Sequence, residues 1–224
     1  MPPELHIGAD PAAAVGELLA EQAARGGAIV LTGGSTPGMA YRRAAELNPD
    51  WSRVDLWWGD ERCVPPEDER SNYRLARKTL LDGLAAQPSS IHRIRGEAAP
   101  AEAAAELDAA LDGVELDFLL LGLGPDGHMA SLFPGSPQVA VLDRRATHGP
   151  AGLEPFVHRV TLTVPAIQFA RRIVFLVTGE SKAVAVQRAF GGDITPDVPA
   201  SLSRLAAVPV EVFLDPAAAS RIDG

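Results

Sequence analysis

Short apolar runs recur along the chain at residues 28–31, 54–58, 118–121, 160–162, 173–177 and 210–214. Several are continuous rather than alternating. A strand with one wet face alternates, so a continuous run fits a strand buried on both faces, as in a parallel sheet covered by helices. The stretches between them repeat at helical spacing. Asp10 and Pro11 read as a cap and first turn, Val15, Leu18 and Leu19 as an apolar side, and Gly26 as a stop. Thr36 and Pro37 open a second helix carrying Ala40, Ala44 and Leu47. Ser71 opens a third, through Leu75, Leu80 and Leu84, and residues 101–112 form an Ala/Glu/Leu-rich fourth. A fifth starts near 179–181, carries Ala183, Val186 and Phe190, and stops at Gly191 and Gly192.

This alternation predicts an α/β fold: three layers, a mostly parallel sheet with helices on both faces, and right-handed crossovers. With no repeat or clear linker, residues 1–224 read as a single domain. Residues 134–158, rich in Pro, Gly and charge, read as a loop or lid.

Composition narrows the function classes. Apolar residues make up 46% of the 224, enough for a substantial core. Cys63 is the only cysteine, which excludes an internal disulfide and points to a reducing, cytoplasmic setting. The opening residues lack a basic and then apolar leader, which predicts no signal peptide. The run 118–123 is too short to cross a bilayer, so no membrane partner is expected. A net charge of −9 argues against a nucleic-acid partner, which needs a basic face. A protein this acidic binds a phosphate only by gathering cations and backbone amides at one spot.

Ligands of open parallel sheets sit beyond the carboxyl ends of the strands, and four such segments carry chemistry. After 28–31 come Gly33, Gly34, Ser35, Thr36 and Pro37, a glycine turn into a helix start and hence an anion seat. No Gly-Lys-Ser/Thr follows, so this is not a Walker loop, and Pro37 breaks a nucleophile elbow. After 54–58 come Asp60, Glu61 and Arg62. Taken alone these are a surface ion group, but Arg62 suits a bidentate grip on phosphate, and Ser71, Asn72 and Tyr73 extend the same wall.

After 118–121, Gly122, Gly124 and Gly127 imitate a dinucleotide fingerprint, with Asp143 at a suitable distance. Pro134, Gly135 and Pro137 interrupt the crossover helix this would need, and Asp126 would meet the pyrophosphate. The segment is better read as a turn presenting Asp126 and His128 for general-base work. In the fourth segment, Arg159 and Lys182 each lie beside a strand. A lysine in a first helical turn opposes the dipole unless an anion binds there. His6, His92, His148 and His158 read as surface residues, and Arg62 beside Cys63 would lower that thiol's pKa. No grouping has metal-ligand spacing, so neither metal nor cofactor is expected.

These pieces, in this order, resemble the 6-phosphogluconolactonase family, most specifically in the run Asp126, Gly127, His128, Met129, Ala130, Ser131, Leu132, Phe133 and Pro134. The likeness spans nearly the whole chain. It implies a fold like that of glucosamine-6-phosphate deaminase and ribose-5-phosphate isomerase. It also implies cofactor-free hydrolysis of 6-phosphoglucono-1,5-lactone in the oxidative pentose phosphate pathway. The expected partner is that small sugar-phosphate lactone, and the expected assembly a monomer or weak homodimer. The expected site has phosphate on Gly33, Gly34, Ser35 and Thr36, gripped by Arg62, Arg159 and Lys182. His128 activates water, Asp126 or Asp60 orients it, and amides of the 122–127 turn stabilise the oxyanion. Where relatives carry Ser-Pro-Lys-Pro before the Arg159 strand, this chain reads Leu153, Glu154, Pro155, Phe156, Val157 and His158.

Two other functions fit the sequence less well. A deaminase would need an acid soon after His128, and none occurs before Asp143. A sugar-phosphate-sensing regulator would need a DNA-binding module, for which the first strand–helix unit, starting almost at Met1, leaves no room.

Overall fold

The computed structural model describes residues 1–222. After strand β1 (Glu4–Ile7), helix α1 (Pro11–Arg25) begins where the Asp10 carboxylate accepts from the Ala13 amide at 2.9 Å, and it ends at Gly26, whose φ of 85° turns the chain. Strand β2 (Gly27–Leu31) leads to helix α2 (Ser35–Leu47), which packs on α1, and then to β3 (Val54–Trp58). Next come β4 (Asp60–Arg62), α3 (Asn72–Thr79), β5 (Ser90–His92), α4 (Pro100–Ala110) and β6 (Phe118–Leu121). The remainder comprises β7 (Ala146–Gly149), β8 (Arg159–Leu162), α5 (Val164–Gln168), β9 (Ile173–Val177), α6 (Ala183–Val186) and β10 (Val210–Leu214).

The main sheet has seven parallel strands in the order β1-β10-β9-β6-β2-β3-β5. Every residue of β6 and β9 is buried, as central strands covered on both faces must be. The core beneath includes Trp51, Trp58, Tyr41, Phe118 and Phe175. The Phe175 ring meets Phe190 edge-on at 5.0 Å. Tyr41 anchors the exit of β2 by donating to the Thr32 carbonyl at 2.6 Å and accepting from its amide at 2.9 Å.

Five predicted strands lie in this sheet, but the run at 160–162 does not. It belongs to β8, the centre of a separate antiparallel sheet ordered β4-β8-β7. Hydropathy marks a strand without naming its partner, and here the partners are two short polar-rich segments. The third helix stops at Thr79 and gives way to a 3₁₀ turn at Leu81–Gly83, short of Leu84. The fifth is irregular, passing from a 3₁₀ turn (Glu180–Lys182) through α6 to a π-helical turn (Gln187–Gly191). The 134–158 segment is not all loop, since it holds a 3₁₀ turn at Pro137–Ala140 and β7.

Candidate active site

A cavity of about 580 Å³ opens beyond the carboxyl ends of β2, β6 and β9, with β4 and β8 along one side. It is lined by Gly33, Gly34, Ser35, Thr36, Asp60, Arg62, His128, Arg159 and Lys182, so nine of the ten residues expected from sequence line one space. The tenth, Asp126, stands directly behind His128.

The loop after β6 is built around that pair. The His128 ring nitrogen Nδ1 lies 2.7 Å from Asp126 Oδ1, and the His128 backbone amide donates to the same oxygen at 3.1 Å. A carboxylate accepts, so in the neutral imidazole Nδ1 carries the proton and Nε2 keeps its lone pair. Burial would raise the Asp126 pKa, but the bond and charge of His128 outweigh it and hold the carboxyl below its ordinary value. Gly124 makes room for the pair, because a Cβ there would fall 1.9 Å from Nδ1 and 2.6 Å from Asp126 Oδ1. The Phe133 ring closes the other side at 4.5 Å from the imidazole.

Of the two candidate orienting carboxylates, Asp126 contacts His128 and Asp60 makes no hydrogen bond to it. Asp60 is largely buried in the cavity wall, where Oδ2 accepts from Ser131 Oγ at 2.6 Å and Oδ1 from Asn72 Nδ2 at 3.1 Å. Among the amides of the 122–127 turn, that of Gly124 donates to the His128 carbonyl and that of Gly127 to the Gly124 carbonyl.

Two of the cations lie on strands and the third, Lys182, in the 3₁₀ turn that follows β9. Arg62 on β4 and Arg159 on β8 are direct cross-strand partners. One Arg62 nitrogen donates to the Arg70 carbonyl, and Arg159 Nη2 donates to the Pro155 carbonyl at 2.9 Å. The Nε of each is buried without a partner. Burial and then the neighbouring Arg62 charge lower the Arg159 pKa, with Asp60 and Glu61 pulling the other way. Two adjacent guanidiniums repel, and an anion between them would relieve both. Lys182 Nζ donates to the Leu123 carbonyl at 2.8 Å, and burial lowers its pKa against the pull of Asp126.

Across the cavity, Gly34 stands at the cap position before α2, whose first turn has no side-chain cap. Its leading amides and positive dipole end therefore suit an anion. The Thr36 and Thr178 hydroxyls meet at 2.8 Å, joining the exits of β2 and β9. The former lid segment contributes Leu153, Glu154 and Phe156 to the cavity wall.

Sequence reasoning missed Glu61 as a structural device. It is buried and accepts the amides of Arg62 (2.7 Å), Asn72 (2.8 Å) and Tyr73 (2.8 Å) and the Ser71 hydroxyl (3.0 Å). It thereby ties the start of α3 to β4 and fixes Asn72 against Asp60. Burial still pushes its carboxyl up despite those amides. The spacing of Glu61 before Ser71 and Asn72, an acid ahead of a helix start, was the available signal. Cys63 also differs from expectation. Its thiol is pushed up to about 11 by burial and by Glu61, with Arg159 countering, so it is not activated. His6 and His92 are not merely solvated, since each stacks on an aromatic ring, Phe213 and Trp57 respectively. Among the described residues no cluster of three His, Cys, Asp or Glu side chains is placed to hold a metal ion, and no helix is long and apolar enough to cross a membrane.

The family model for glucosamine-6-phosphate isomerases/6-phosphogluconolactonase matches residues 8–210. The chain belongs to this family. A 6-phosphogluconolactonase from Streptomyces coelicolor is 37% identical over 240 residues, covering 98% of this chain and 91% of the relative. The crystal structure of 6-phosphogluconolactonase from Leishmania guyanensis superposes with a TM-score of 0.87 at 25% identity, over the whole of both chains. A monomeric glucosamine-6-phosphate deaminase shares the fold, with a TM-score of 0.87 at 22% identity over 97% of this chain and 99% of its own. The curated relatives place this member of the family with its lactone hydrolases.

Proposed function

We propose that the chain hydrolyses 6-phospho-D-glucono-1,5-lactone to 6-phospho-D-gluconate in the oxidative pentose phosphate pathway, with His128 as general base. The observation that carries this reading is the Asp126–His128 pair lining one cavity with the Arg62–Arg159 pair. The phosphate sits between the α2 start and the cations Arg62, Arg159 and Lys182. The Nε2 lone pair of His128 takes a proton from water as its oxygen attacks the lactone carbonyl. Asp126 stabilises the imidazolium that forms. The tetrahedral intermediate then collapses with cleavage of the ring C–O bond, and the departing oxygen takes the proton back from His128. The product acid ionises at neutral pH. A δ-lactone is a reactive ester, so positioning and one base suffice, and no cofactor enters. The lone Cys63 and the acidic excess support action in a reducing cytoplasm, away from nucleic acid; the proposed assembly is a monomer or weak homodimer.

The test is direct. The lactone is generated from glucose 6-phosphate, and 6-phosphogluconate formation is followed with and without protein, with glucosamine 6-phosphate as the control substrate. A rate no faster than spontaneous hydrolysis ends the proposal. Release of ammonia from the control would favour a deaminase instead.

A further inference from the structure

The residues left over from the proposed chemistry form a buried polar network centred on Ser131. The β4–β8 register sets Asp60 opposite Thr161 and Arg62 opposite Arg159. Side chains two apart share a strand face, so one face of this ladder presents all four. Both members of the first pair reach Ser131. Its hydroxyl donates to Asp60 Oδ2 at 2.6 Å, and its amide donates to Thr161 Oγ1 at 3.1 Å. Ser131, Asp60 and Thr161 are all buried, so none of these bonds trades freely with water. The second pair is the cationic one.

On its other side, Ser131 belongs to the turn that carries His128. Met129 and Leu132 form a bridge, closed by the Leu132 amide donating to the Met129 carbonyl at 2.9 Å. Ala130 at the tip has a φ of 47°, a left-handed conformation that an alanine does not adopt without outside support. The two bonds to Ser131 are the support at the next residue.

We propose that Ser131 is a positioning residue that fixes the reach between the paired arginines and His128, by pinning the His128 turn to the β4–β8 ladder through Asp60 and Thr161. This rests on the lactonase reading above. A substrate gripped at its phosphate presents its carbonyl at one distance from the grip, and the Ser131 clamp sets where the base meets it. Misplacing a base by about 1 Å costs up to about 100-fold in rate.

The experiment uses Ser131→Ala in the full chain, assayed below its measured melting temperature. The readouts are kcat on the phosphorylated lactone and the inhibition constant of inorganic phosphate, which touches only the cation end. The expected result is a fall in kcat of about 10- to 100-fold, with phosphate inhibition within about twofold of the parent. A fall smaller than tenfold overturns the proposal. So does a fall accompanied by equally weakened phosphate inhibition, which marks general loss of the pocket. Thr161→Val, which removes the acceptor for the Ser131 amide at nearly constant shape, is run in parallel and judged by the same criteria, and it decides the matter if Ser131→Ala does not fold. Failure of the underlying reading shows separately, as a parent protein no faster than spontaneous hydrolysis.

Discussion

Asp126 and His128 meet through a single oxygen: Asp126 Oδ1 lies 2.7 Å from the imidazole Nδ1 and 3.1 Å from the backbone nitrogen of the same histidine. One carboxylate thus fixes both where the residue sits and how its ring is turned. Removing the ring removes the proposed base, and His128→Ala is expected to lower kcat by about 10²–10⁴. Asp126→Asn keeps the shape but offers an amide where an acceptor is needed, and a fall of similar order is expected through the wrong tautomer. Both are measured on freshly generated lactone after subtraction of spontaneous hydrolysis. Inhibition by inorganic phosphate should persist in each variant, because the cations are untouched. Near-normal turnover by His128→Ala would remove it from the chemistry.

The same bond makes stability depend on pH. The Asp126 carboxyl is held below its ordinary value in the folded chain, the bond and charge of His128 outweighing burial. Its folded form therefore binds fewer protons than the unfolded chain as pH falls through the carboxylate range. The stabilisation is present above the unfolded value and is lost as pH drops through the lowered one. Urea unfolding at neutral and acid pH checks this. Asp126→Asn is expected to lose less stability on acidification than the parent, and equal losses would contradict the linkage.

Arg159 is 4% exposed and lies opposite Arg62, so its charge is costly until an anion arrives. Arg159→Met is expected to raise KM for the phosphorylated lactone by about 10- to 100-fold, since hydrogen bonds to charged groups contribute about 1.5–3 kcal/mol. With no ligand, its melting temperature should equal or exceed that of the parent. A variant with unchanged KM would place the phosphate elsewhere.

The parts of this site that were legible in the sequence are local ones. Asp126 and His128 are two residues apart with Gly124 just before them, so chain geometry alone brings them together. The turn from Gly33 to Thr36 is similarly self-contained. The Ser131–Asp60 bond spans 71 positions, and no periodicity encodes it. Glu61 looked like one member of a surface charge group, yet burial and its amide donors make it a clamp on α3. In the fold, the long apolar strands at the centre of the sheet declared themselves. Edge strands β1 and β5 did not, because four and three residues of mixed polarity carry no pattern. The β4-β8-β7 sheet was hidden for a related reason: its identity lies in which distant segments pair, not in what each segment contains.

Gly34 occupies the cap position of helix α2, with φ at 114° and no side chain tying the opening turn. Serine, aspartate or asparagine in that place would ordinarily secure the loose end of the helix. Here such a residue would be strained, and its own oxygen would compete for the amides a guest must use. On the proposed phosphate seat, the first turn of α2 is thus a spot where the demands of holding the chain together and of welcoming the anion pull in opposite directions, and glycine concedes the first to keep the second.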